Sequence, residues 1–313
     1  MVRARRSGAA RSTATRGTGV AIEGIVPALL TAFGDDGKIS ERELRRLVRH
    51  EVDAGAGGFF VCGSAGEGVY MTPAERRQLV EIVVNEVAGQ VPIIAQVGAM
   101  STDEAVLLAR EARAAGAAAV SSLPPLLFRL PWPAIIEHMR AIAEAAELPT
   151  YYYHLPIITN VNATAEEFAE MADKVPGLVG FKYSSPDLFL LWGALDRPKR
   201  KMEILYGCDQ QLYQGLLTGA HGGIGSTYNY QMRYVVEVYK AFKLGDHTAA
   251  MAWQGKVNAV IEVVFKHGGS RAVEKAMTSL LGFNVGPPRR PNLPLPEAQL
   301  AELRRDMEKV GLL

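Results

Sequence analysis

One lysine stands inside an apolar, strand-like run. Between Gly177 and Asp187 the chain reads GLVGFKYSSPD, which places Lys182 where its neighbours ask to be buried. Burial disfavours an ammonium group, so a lysine there can titrate several units below its ordinary value of about 10.4. A shift to about 7 corresponds to roughly 4–5 kcal/mol against the charged form. The free amine is the nucleophile that forms Schiff bases with carbonyl substrates. A lysine whose stem packs while its ammonium reaches a rim carboxylate fits the same position. Position alone leaves both readings open. The other lysines lie on helical faces, in loops or near the termini, where solvation accounts for them.

Further polar groups follow apolar runs. The turn GSAGEG brings Ser64, Ala65, Gly66 and Glu67 together. Its small residues suit backbone N–H groups that converge on a carboxylate, although a tight strand-to-helix connection needs the same composition. YYYHLP carries Tyr153 and His154 to a strand end. A phenol there could relay a proton near an imine, while three tyrosines in a row also suit packing. Ser184 in FKYSS, Asp209 and Gln210 in YGCDQQ, and Ser226 to Asn229 in GIGSTYN complete the group. His50, His138, His154, His221, His247 and His267 form no H-x-H or H-x-x-x-H pair, a poor pattern for a metal centre.

These groups need elements to hold them. Eight short β-branched runs alternate with amphipathic helical runs: IVPALLTAF, GFFVCG, PIIAQVG, AAVSSLP, PTYYYHL, LVGFKYS, MEILYGC and GGIGSTYN. TPAERRQLVEIVVNEV has Thr72 as N-cap, Pro73 at the first helical position and Glu75 in reach of a capping box. In STDEAVLLAREARAAG, Ser101 or Thr102 caps the helix and Gly116 ends it. Strands apolar on both faces and joined by helices predict a parallel sheet covered by helices. Eight units predict a closed (β/α)8 TIM barrel with extra C-terminal helices; an open doubly wound sheet is the alternative. No G-x-G-x-x-G follows the first strand, which weakens the dinucleotide-binding version of that sheet. In a barrel, function gathers at the carboxyl ends of the strands, where the residues above fall.

The barrel is expected over residues 21–240 and a helical extension packed on it over 241–313, with QMRYVVEVYKAFKLGD as the first material beyond the eighth unit. The Arg-, Ser- and Thr-rich residues 1–20 resemble a transit peptide in composition and read as a disordered basic leader outside the fold. At 313 residues and 48% apolar content, the chain can bury a core without disulfides or metals. A net charge of +1 argues against nucleic acid or a membrane surface as the main partner. No apolar run reaches the ~18 residues of a membrane span. Cys62 and Cys208 each follow an apolar run, which predicts buried free thiols and a cytoplasmic location.

These motifs, in order from about Ile22 to Pro288, resemble the pyruvate-dependent class I lyases that include N-acetylneuraminate lyase and dihydrodipicolinate synthase. GSAGEG is similar to that family's pyruvate-carboxylate loop, YYYHLP to its tyrosine motif and GFKYSS to its Schiff-base strand. YYYHLP, YGCDQQL and GIGSTYNY look like the N-acetylneuraminate lyase branch. The synthase branch carries an arginine after the tyrosine motif, and HLPIITN has none. The resemblance implies that Lys182 forms an imine with pyruvate and that Tyr153 shuttles the proton. It implies that Ser64, with the backbone of Ala65 and Gly66, holds the keto-acid carboxylate. Ser184, Gly207, Asp209, Gln210, Gly225 and Ser226 would line the sugar-chain side. Three departures stand out. Ala65 replaces a second hydroxyl residue, Gln210 replaces a carboxylate, and Phe128 stands near the place of a tyrosine that reaches a neighbouring subunit's site.

The implied activity is reversible cleavage of a 2-keto-3-deoxy sugar acid, N-acetylneuraminate first, to pyruvate and N-acetylmannosamine. It needs neither metal nor organic cofactor, and a homotetramer is expected. The alternatives are a lyase or dehydratase for another 2-keto acid, of 2-keto-3-deoxygluconate type, dihydrodipicolinate synthase, or a non-catalytic sugar-acid-binding barrel.

Overall fold

Eight parallel strands close on themselves, each buried along nearly its whole length. The structure, a computed structural model, describes residues 22–313; the basic leader expected over residues 1–20 lies outside the described residues. The strands are β1 Gly24–Pro27, β2 Phe59–Val61, β3 Ile93–Gln96, β4 Ala119–Ser122, β5 Thr150–His154, β6 Leu178–Tyr183, β7 Glu203–Tyr206 and β8 Gly222–Gly225. Every adjacent pair runs parallel, and β1 pairs with β8. Between β1 and β2 the ring is completed by the Ala28–Phe60 bridge and by the Leu29 N–H donating to the Phe60 carbonyl at 3.0 Å. All eight expected strands lie in this ring, and the open sheet is excluded.

The barrel helices are α1 Glu41–Asp53, α2 Pro73–Val87, α3 Thr102–Ala114, α4 Trp132–Ala146, the single turn α5 Pro156–Thr159, α6 Ala165–Lys174, α7 Leu188–Asp196, α8 Leu212–Thr218 and α9 Tyr228–Lys243. Their starts are written locally. Thr72 and Glu75 form the expected capping box with Pro73 behind them, and Ser101 accepts the Glu104 N–H at the head of α3. After α3, Gly116 adopts φ +90°, the left-handed turn that ends a helix. The QMRYVVEVYKAFKLGD segment is not an appendage. Its residues up to Lys243 form most of α9, the eighth barrel helix, because β8 ends at Gly225 and the chain turns straight into it. Three helices follow: α10 His247–Lys266, α11 Arg271–Leu280 and α12 Glu297–Lys309. Helix α10 packs along α9, and α12 packs on α10 and α11.

The strand period of two sorts the core into two layers. Tyr151, Tyr153 and Leu205 take the alternate strand positions facing inward; Tyr152, Phe181, Ile204 and Tyr206 pack outward, in one cluster with side chains of α4, α6 and α7. Cys62 and Cys208 are buried free thiols, as expected. Among the described residues no helix is long and apolar enough to cross a membrane.

One buried acid runs against this economy. Glu51 of α1 is fully buried, and neither carboxylate oxygen has a hydrogen-bond partner among the described residues. Burial holds its carboxyl well above the ordinary 4.5, so the folded chain keeps this proton to higher pH than the unfolded chain does. Below the ordinary value both folded and unfolded chains keep the proton and no linkage cost arises. As pH rises, the unfolded chain ionises first and stability falls. Glu51→Gln should therefore be about 1–3 kcal/mol more stable than wild type at pH 8 and nearly equal to it at pH 4, as read by urea melts.

Candidate active site

The register between β5 and β6 makes the first contact. Tyr153 is the direct partner of Lys182, which in turn pairs with Leu205 on β7. All three sit on the inner face, at the carboxyl end. Lys182 is 4% exposed, and its Nζ lies 3.8 Å from the Phe60 ring centre and 3.9 Å from that of Tyr153. No carboxylate among the described residues lies within salt-bridge distance of Nζ. Burial lowers this amine to about 7; Asp209 pulls it upward and Arg271 lowers it further. The reading in which the ammonium reaches a rim carboxylate therefore has no partner here. Tyr153 is buried, which raises its phenol to about 12; the Ser184 hydroxyl beside it pulls the other way. Near neutral pH a large share of the amine is thus unprotonated, beside a protonated phenol.

Above them opens a cavity of about 270 Å³. Nine of the eleven expected residues line it: Lys182, Tyr153, Ser64, Ala65, Ser184, Gly207, Asp209, Gln210 and Ser226. The Ser64 loop is wound tightly, with Cys62 and Glu67 both at φ 58° and the Glu67 N–H donating to the Ser64 carbonyl at 3.2 Å. Gly207 lines the cavity where the chain passes close to Ser184: a Cβ there would fall 2.0 Å from the Ser184 Oγ.

The two remaining expected residues stand behind the wall. Gly66 gives its carbonyl to the Thr31 hydroxyl at 2.6 Å, and a Cβ on it would lie 2.8 Å from the Leu29 carbonyl. Gly225 leaves room for Asp209, whose Oδ1 would be 2.2 Å from a Cβ there. Both shape the site without lining it. Asp209 accepts from the Thr227 N–H at 3.0 Å and hydroxyl at 2.7 Å, both on Oδ2. Gln210 is exposed at the rim.

Other strand-end groups serve the scaffold. His154 faces outward, packed on Phe168 and Tyr183, and burial lowers it to about 4. Asn229 ties β1 to β8 by donating to the Ala28 carbonyl and accepting the Leu30 N–H, both at 2.9 Å. Glu67 is buried and ion-paired with Lys275 of α11 at 3.0 Å. That pair corrects the expectation that every lysine but Lys182 is solvated. Lys275 is 1% exposed and lowered to about 8 by burial, with Glu67 opposing.

The sequence reading also missed Arg271 and Glu274. The appended helices were expected only to pack, yet Arg271 and Glu274 of α11 and Ile261, Val264 and Phe265 of α10 line the same cavity. Glu274 accepts the Ser226 hydroxyl at 2.8 Å and is ion-paired with Arg271. On the sequence, the three charges at 271, 274 and 275 have the spacing of an ordinary solvated helix face. The GGS turn before them is the one local sign that the chain doubles back there.

The arrangement sets a small-residue turn at Ser64 beside an amine, Lys182, that can attack a carbonyl and a phenol, Tyr153, that can move a proton. The model of the dihydrodipicolinate synthetase family matches residues 21–310. The chain is 35% identical to an N-acetylneuraminate lyase of Citrobacter koseri over 284 residues, 90% of this chain and 95% of that protein. It is 36% identical to an uncharacterized DapA-like lyase of Halobacterium salinarum, over 95% of this chain and 97% of that protein. Among solved structures, the Proteus mirabilis N-acetylneuraminate lyase superimposes with a TM-score of 0.88 at 30% identity, covering 94% of this chain and 100% of that one. The dihydrodipicolinate synthase of Aquifex aeolicus superimposes with a TM-score of 0.87 at 26% identity, covering 93% and 98%.

Proposed function

The chain belongs to the dihydrodipicolinate synthetase family of pyruvate-dependent class I carbon–carbon lyases, and from that premise we propose that it cleaves a 2-keto-3-deoxy sugar acid through a Schiff base on Lys182. Membership sets aside the non-catalytic barrel. The observation that carries the proposal is a buried amine, lowered to about 7 and free of any ion pair among the described residues, in ring contact with Tyr153.

In this reaction the Lys182 Nζ lone pair attacks the C2 ketone and water leaves, giving a protonated imine. The C3–C4 bond breaks as its electrons move into the iminium, while Tyr153 relays the C4 hydroxyl proton, its phenol giving up its own proton as it accepts that one. The aldehyde departs, and the enamine is protonated at C3. Water then adds to the imine carbon, releasing pyruvate and the free amine. Ser64 and the backbone of Ala65 hold the carboxylate. The iminium is the electron sink, so the proposal calls for neither metal nor organic cofactor.

N-acetylneuraminate is the substrate we propose first, with N-acetylmannosamine as the released aldehyde. The lyases of that name among the relatives and the absence of an arginine in HLPIITN support it. A second reading, a 2-keto-3-deoxygluconate-type acid, is favoured by Gln210, an exposed neutral amide on the chain-binding side. Pyruvate release from the two acids separates them. Faster release from N-acetylneuraminate is expected, and release from 2-keto-3-deoxygluconate alone overturns the first choice.

We also propose a homotetramer and a cytoplasmic location, the latter supported by the unbridged Cys62 and Cys208. Val69, Leu127 and Phe128, in the connections after β2 and β4, and Ile157 of α5 are exposed apolar side chains that an assembly would cover. Sedimentation velocity should show a four-chain species, and Leu127→Asp with Phe128→Asp should shift it to smaller ones.

A further inference from the structure

We infer that Glu274, paired with Arg271 on α11, is a carboxylate that reads the hydroxyl chain of the substrate beside Asp209. The inference rests on the proposed Schiff-base reaction and adds a group that selects what is attached to it. Two carboxylates line the cavity, Asp209 and Glu274. Asp209 is half engaged: its Oδ2 accepts twice from Thr227, while its Oδ1, beside Gly225, has no hydrogen-bond partner among the described residues. Gln210 offers a solvated amide at the rim. Glu274 is 6% exposed, its Oε1 accepts the Ser226 hydroxyl and its Oε2 lies against Arg271. Beyond that ion pair, Arg271 makes no hydrogen bond among the described residues. An acceptor and a donor therefore stand side by side on one wall.

That pair has a chemical preference. Each hydroxyl of a vicinal diol donates one hydrogen bond and accepts others, so it can give to the carboxylate and receive from the guanidinium. An aldehyde without hydroxyls would desolvate both charges and return nothing, which a site built this way rejects. A second carboxylate on the substrate would have to displace Glu274 from Arg271, so the pair fits a polyol chain better than a diacid.

The wall is also held in place. Gly268 and Gly269, at φ +92° and +63°, turn the chain from α10 into α11. Lys275, one residue beyond Glu274, donates to the Pro287 carbonyl at 2.9 Å and pairs with Glu67, which also accepts the Arg289 N–H at 2.7 Å. Glu67 belongs to the Ser64 loop. The carboxylate-binding turn and the chain-reading helix are thus fixed to one another, a rigid spacing between the two ends of a substrate.

The test uses the full chain in the synthetic direction, with pyruvate and either erythrose, which carries hydroxyls, or propanal, which does not. Wild type should favour erythrose in kcat/KM by at least tenfold. Glu274→Gln should lose roughly ten- to hundredfold on erythrose, the weight of a charged hydrogen bond, and stay within about twofold on propanal. Arg271→Gln should shift the same ratio in the same direction and serves if Glu274→Gln does not fold. Borohydride should still trap pyruvate on Lys182 in both variants, at the wild-type level in Glu274→Gln. An equal loss on both aldehydes, or no loss on erythrose, overturns the assignment while leaving the Schiff base intact. A wild type that traps no pyruvate overturns the Schiff base and this assignment together.

Discussion

Lys182→Met is expected to be inactive and more stable than wild type. Activity should fall by at least about 10⁴-fold, because the covalent nucleophile is lost and only binding remains. Stability should rise, because the lysine is held in a place that disfavours its charge. The shift from 10.5 to about 7 represents on the order of 5 kcal/mol, an upper bound on the gain. The sign follows from proton counts. Above about pH 10.5 both folded and unfolded chains carry a neutral amine, and the variant gains nothing from ionisation. Between 10.5 and 7 the unfolded chain binds the proton and the folded chain does not, so wild type weakens as pH falls. Below 7 the penalty is complete. Urea melts at pH 6 and pH 10 should therefore show a larger difference at pH 6. The same titration governs the reaction: as pH falls below 7 the free amine declines tenfold per unit, so kcat/KM at pH 5 should be roughly hundredfold below its plateau.

Tyr153→Phe separates proton transfer from imine formation. The ring that lies against Lys182 Nζ remains, as does the packing on Phe60, whose ring centre is 5.8 Å away. What disappears is the hydroxyl beside Ser184. Cleavage should fall by about 10²–10⁴-fold, the usual share of a positioned acid–base group, while pyruvate is still trapped on Lys182. A variant that cleaves at the wild-type rate would remove Tyr153 from the proton path. One that traps no pyruvate would show that the hydroxyl acts earlier, on the imine itself.

The barrel was legible because its signals are local. Apolar runs such as PIIAQVG mark strands covered on both faces, and Thr72, Pro73 and Glu75 mark a helix start within four residues. The core of the site was legible for a related reason: a barrel places the residue that ends each strand at one mouth, so Lys182, Tyr153 and Ser64 converge without any long-range rule. The α11 wall was not legible. Arg271, Glu274 and Lys275 have the spacing of a solvated face, and their burial is decided by Ser226 and Glu67, far away in sequence. Gly66 and Gly225 show the opposite limit. Their motifs touch the site, but the contact each glycine permits lies behind it, with Leu29 and Asp209. His154 follows from strand period: one residue past Tyr153, it must point outward.

The central claim is that Lys182 forms an imine with pyruvate, and borohydride reduction of the intact protein with pyruvate tests it most directly. Peptide mass analysis should find one reduced pyruvyl adduct, on the peptide that carries Lys182, and none in Lys182→Met. No adduct in wild type, or an adduct that persists in Lys182→Met, would contradict it.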